Sequence, residues 1–165
     1  MDSANFPVFA NLVLAAQCCI AAYMDFRHRQ LPNFLCLSVF GTGIVAGLVT
    51  HDITWVGLSL AHAVLALLVG IALFAGAVIG GGDAKFYAAL AVWLPLKYGF
   101  LMLGAVAVFG FILALAWFPL RARIAAMAPD PATAKEFRKV PFGLAIAAGG
   151  WFTYFVSTGL WGLQL

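Results

Sequence analysis

Five stretches of the chain, residues 6–23, 34–50, 55–79, 98–120 and 140–160, are apolar over the length of a bilayer crossing. A helix needs about 20 such residues to span the hydrocarbon core, with about 17 to 25 observed. Each stretch therefore predicts a transmembrane helix. Composition agrees, because 65% of the residues are hydrophobic and 9% charged, whereas a soluble domain carries roughly a quarter charged. Too few charges are present to cover a water-exposed surface, which excludes an ordinary soluble domain. The first stretch reads as a retained helix, not a signal peptide. Only Asp2 is charged before it, where a signal peptide carries a basic region.

Residues 80–96 barely reach spanning length and begin with three glycines, so they form either a short fourth span or a re-entrant segment. Basic residues decide between the two, since Lys and Arg collect in cytoplasmic loops. With six spans, Arg27, Arg29, Lys85, Arg121, Arg123, Lys135, Arg138 and Lys139 fall on one side and only Lys97 on the other. A re-entrant segment would reverse the 121–139 loop and destroy this bias. The expected fold is an all-α polytopic membrane bundle of about six transmembrane helices. Both termini are non-cytoplasmic, and residues 1–165 form a single domain. Gly43 and Gly47, and again Gly76 and Gly80, have the spacing that permits close helix approach. Cys18, Cys19 and Cys36 form no CxxC pair and read as small buried hydrophobes.

Six acidic residues are present, and Asp2, Asp52, Asp130 and Glu136 fall in terminal or loop positions. Asp25 ends the first helix and Asp83 begins the fourth, at matched depth on the cytoplasmic side. Ionisable groups at a membrane edge are functional candidates by default. Around Asp25 runs MDFRHRQLPN, in which Leu31-Pro32-Asn33 prepares the next helix. Before Asp83, Gly80, Gly81 and Gly82 remove three β-carbons. They predict room for a peptide backbone beside the carboxylate and φ values that other residues avoid. Two close aspartates can share one proton, so that one activates water while the other polarises a carbonyl. Neither a metal nor another cofactor is required. Helix polarity puts the proton on Asp25 and the base role on Asp83, although Arg27 and Arg29 oppose this at Asp25.

At these residues the sequence resembles the type IV prepilin peptidases, membrane aspartyl proteases named for a Gly-x-Gly-Asp motif. Gly80-Gly81-Gly82-Asp83-Ala84-Lys85 matches the extended Gly-x-Gly-Asp-x-Lys pattern. Asp25, Arg27 and Leu31-Pro32-Asn33 resemble the other aspartate segment, with leucine where isoleucine is common. VPFGLAIAAGG, residues 140–150, is similar to the family's third segment.

The resemblance implies that Asp25 and Asp83 are the catalytic pair, with Arg27, Lys85, Pro141 and Gly143 shaping the site. It implies cleavage of a short basic leader from a prepilin or pseudopilin, just before a hydrophobic helix, at the cytoplasmic face of the bacterial inner membrane. Membrane lipid and the pilus-assembly machinery are the other expected partners, and nucleic acid is not one. Longer family members carry an N-terminal segment with paired cysteines, associated with methylation. This sequence looks like the short, peptidase-only type found with tight-adherence (Flp-type) pili, so no methyltransferase activity is expected. Two other classes stay open. One is a small transporter or channel using the membrane-edge carboxylates, with His62 as its best support. The other is a non-catalytic pilus-assembly subunit docking through residues 121–139.

Overall fold

A computed structural model of the chain describes residues 6–126, 134–135, 137 and 139–159. Asp2, Asp130, Glu136 and Arg138, named in the sequence reading, lie outside the described residues. The elements are α1 (Phe6–His28), α2 (Asn33–Thr50), α3 (Ile53–Ala75), α4 (Gly81–Ala91), a single 3-10 turn at Leu96–Tyr98, α5 (Gly99–Ala126) and α6 (Phe142–Ser157). The expected all-α membrane bundle is what the chain forms. Among the described residues, four segments, α1, α2, α3 and the turn joined to α5, are long and apolar enough to cross a membrane. This is a multi-pass membrane protein.

The two shorter helices differ from the expected spans. α6 has 16 residues and α4 has only 11. At about 1.5 Å per residue, α4 covers about 16 Å, roughly half of a 30 Å hydrocarbon core. It runs antiparallel to α3, with Ala84 against Gly70 at one end and the Leu94 carbonyl bonded to His62 Nδ1 at 2.9 Å just past the other. The turns of α3 from Ile53 to Ala61 therefore extend beyond α4. A carbonyl only accepts, so Nδ1 of His62 carries the proton, and this buried histidine caps the backbone where α4 stops.

α4 and α6 form the centre of the bundle. α4 packs on α3, α2 and α6, while α6 packs on α5 and α1. Leu14, Phe86, Leu90, Trp93, Met102 and Ile146 are fully buried among them. Polar side chains add helix-to-helix bonds of the kind that stabilise bundles in lipid. Gln17 bridges Ser38 and Thr42 of α2, Trp93 Nε1 donates to the Val39 carbonyl at 2.9 Å, and Trp151 Nε1 donates to Asn11 Oδ1 at 2.9 Å.

Of the two glycine pairs, Gly43 and Gly47 do pack closely, against Trp93 and Trp55. Gly76 and Gly80 instead sit at helix ends, as the C-cap of α3 and the N-cap of α4. The tightest approach was not foreseen. A β-carbon on Gly149 would lie 2.6 Å from the backbone nitrogen of Val106, so α5 and α6 touch backbone to backbone. Cys18 and Cys36 are buried as expected, but Cys19 is exposed.

Candidate active site

Asp25 occupies the last turn of α1 and is 7% exposed. The helix ends where Arg29 takes a left-handed conformation, φ 54°. The Arg29 N–H donates to the Asp25 carbonyl at 3.1 Å, which closes the helix in the αL manner. A residue other than glycine costs roughly 1–2 kcal/mol in this conformation. The Arg29 side chain offsets that cost, since its guanidinium lies 4.8 Å from the Trp117 ring centre and 5.1 Å from that of Phe137. Cation–π contacts of this kind contribute about 0.5–2 kcal/mol each. The positive charge of Arg29 acts on Asp25. Arg27 is exposed. Arg29, more than Arg27, is thus the cation of this site.

α6 meets Asp25 through a gap. A β-carbon on Gly143 would stand 2.7 Å from Asp25 Oδ2 and 2.9 Å from its carboxyl carbon. The backbone N–H groups of Gly143 and Leu144 are directed at the carboxyl. Neither reaches Oδ2, which is buried and has no hydrogen-bond partner among the described residues. Pro141, fully buried, is the N-cap of α6 and starts the helix at this level.

Asp83 is the third residue of α4, whose N-cap is Gly80. Its carboxylate turns back toward the Gly80 N–H, which is the acidic half of a capping box. Gly80 has φ −73°, so the unusual φ expected of the glycine run is absent there. The left-handed residue is Ala77, φ 55°. It ends α3 in a Schellman motif, with Val78 N–H donating to the Leu73 carbonyl and Ala77 N–H to that of Phe74, both at 2.9 Å. Gly81 and Gly82 serve close approach instead. Their missing β-carbons would touch Phe74 and Leu31, each at 3.4 Å, so the start of α4 lies against the end of α3 and the α1–α2 connection. Lys85 Nζ donates to Asn33 Oδ1 at 3.1 Å, tying α4 to the first residue of α2.

These elements place the two carboxyls at the same end of the bundle. α4 and α6 run parallel, with Leu90 against Gly150 and Asp83 a few residues back toward the end where Gly143 meets Asp25. Asp83 lies within electrostatic reach of Asp25. Arg27, Arg29, Lys85, Arg121 and Arg123 belong to the same end, whereas Lys97 lies past the far end of α4. Tyr87, four residues beyond Asp83, shares a groove with it. Sequence reasoning passed over Tyr87, although the i, i+4 spacing places both on one helix face.

Residues 12–115 match the model of the type IV leader peptidase family. The chain belongs to that family. The matched residues include both aspartates and end before Pro141 and Gly143. Comparison with curated proteins and with solved structures gives no match. Membership in the leader peptidase family makes the chain a membrane peptidase of the prepilin type, and favours that reading over a transporter or an assembly subunit.

Proposed function

We propose that the chain is an aspartyl endopeptidase that removes the short basic leader of type IV prepilins, of the Flp type, at the cytoplasmic face of the bacterial inner membrane. What supports this reading is that Asp25 and Asp83, from helices far apart in sequence, lie at the same end of the bundle, the end richest in basic residues. That end faces the cytoplasm by the positive-inside rule.

In the proposed mechanism the pair holds one proton. Asp83, in the first turn at the positive end of α4, is assigned the anionic role and takes a proton from water. Asp25 carries the shared proton and donates it to the scissile carbonyl oxygen as the hydroxide attacks carbon. The resulting gem-diol loses a proton to Asp25, Asp83 protonates the leaving nitrogen, and the C–N bond breaks. A carboxylic acid and an amine result, and the dyad returns to its starting state. The buried, unpartnered Oδ2 of Asp25 is where the shared proton would sit, while the charge of Arg29 limits how firmly it stays there. Gly80, exposed beside Asp83, gives the substrate backbone its approach. Lys85, Pro141 and Gly143 hold the two carboxyls in register.

The test is cleavage of a purified Flp-type prepilin by the protein in lipid, with product masses measured. Asp25→Asn and Asp83→Asn should each abolish cleavage at unchanged protein abundance. Cleavage surviving in either variant removes that residue from the dyad, and ion flux without proteolysis would support the transporter instead.

A further inference from the structure

α5 stands apart from the rest of the bundle inside the membrane. It packs along α6 but has almost no contact with α3. Two apolar grooves flank it. One, of about 580 Å³, lies between α5, α1 and α6 and contains Cys19, Ile112 and Trp151. The other, of about 600 Å³, lies between α3 and α5, with α4 and α6 as its floor. Leu65 and Val69 of α3 face Leu103 and Ala107 of α5 across it. Only this second groove contains one of the paired acids, Asp83, at one end. At the other end it is closed by Leu96 and Gly99, beside His62.

We propose that the α3–α5 groove receives the first turns of the substrate's hydrophobic helix, N-terminus toward Asp83, so that the peptide bond just before that helix is delivered to the acids. This rests on the peptidase reading and adds to it the route by which the substrate docks. Four observations support this occupant. The groove is continuous with Asp83, whereas the α1–α5 groove includes neither acid. Its polarity is matched to a helix entering in this direction. The first four N–H groups of any helix lack partners and form its positive end, and here they would meet the carboxylate. The rest of the lining is apolar except for Tyr87 and His62, which suits an apolar helix face. Its length also fits: along α3 the lining runs from His62 to Leu73, about 16 Å, or roughly three turns of a docked helix. Nothing among the described residues covers Phe100 at the rim, which is 90% exposed.

The experiment uses the full chain in lipid vesicles with a Flp-type prepilin, and carries Asp25→Asn to keep the substrate uncut. A photo-crosslinking amino acid is placed singly at Leu65, Leu103 or Ile112. Adducts with the prepilin helix are expected from Leu65 and Leu103 and not from Ile112. In the otherwise unaltered protein, Ala107→Trp should fill the groove and raise the KM for prepilin roughly tenfold, equivalent to about 1.4 kcal/mol. Ile112→Trp should leave it unchanged. Adducts from Ile112 alone, adducts from Leu65 and Leu103 with lipid alone, or an unchanged KM in Ala107→Trp would each overturn the groove while prepilin cleavage by the native chain upholds the peptidase. Failure of the native chain to cut any prepilin would remove both.

Discussion

Asp25 Oδ2 occupies the space that a side chain at residue 143 would fill, 2.7 Å from the position of its β-carbon. Gly143 is therefore part of the geometry of the acid although it carries no functional group. Gly143→Ala should displace the Asp25 carboxyl and lower kcat by about 100-fold, the scale expected for a 1 Å misplacement. The cost in stability should be about 1–3 kcal/mol, as for other overpacked sites. Asp25→Ala in the same chain should recover most of that stability without recovering activity, which a double-mutant cycle on unfolding measures.

Gly149 gives the contrasting case. A β-carbon there meets the Val106 backbone at 2.6 Å, and backbone cannot rotate away. Gly149→Ala should destabilise the bundle by about 3 kcal/mol or more by separating α5 from α6. The loss of activity should follow the loss of folded protein, so that kcat per folded molecule stays near native. Parallel measurements of unfolding in detergent and of turnover distinguish the two glycines.

The Lys85–Asn33 bond ties the first turn of α4 to the start of α2. Lys85 is exposed, so the bond should add at most about 1 kcal/mol to stability. Its larger effect should be on the placement of Asp83. Lys85→Met and Asn33→Leu should each slow cleavage several-fold, about 1 kcal/mol of transition-state stabilisation. The double variant should be little worse than either single one, and additive losses would show that the two residues act independently.

A dyad holding one proton works in a limited pH window. Activity should fall on the acid side as the pair gains a second proton, and on the alkaline side as it loses the first. The profile of kcat/KM in vesicles should be bell-shaped and its limits should belong to the pair. A profile with a single limb would count against proton sharing.

The bundle was legible in the sequence because its helices in lipid announce themselves by apolar length. The basic residues favour a true fourth span, and the structure puts there a helix of only 11 residues. What they could not give was its extent. Residues 92–94 tighten into turns, with Trp93 N–H donating to the Leu90 carbonyl and Leu94 N–H to that of Ala91, ahead of Pro95, and the freed Leu94 carbonyl is taken by His62, distant in sequence. Asp25 and Asp83 were visible because charge is rare in such a chain. The unusual φ expected at Gly80–Gly82 is absent for a physical reason: the Schellman turn at Ala77 already reverses the chain, which leaves Gly81 and Gly82 to serve close packing. Arg29 was visible as a charge, but its left-handed backbone and aromatic neighbours depend on α5 and on Phe137.

The short α4 and the 16-residue α6 have a further consequence because they stand at the centre of the bundle, ringed by longer helices. Acyl chains meet chiefly α1, α2, α3 and α5, which are of spanning length and need no thinning of an ordinary bilayer. The shortfall is taken up inside the protein. Turnover should then be largely indifferent to the acyl chain length of the host vesicles.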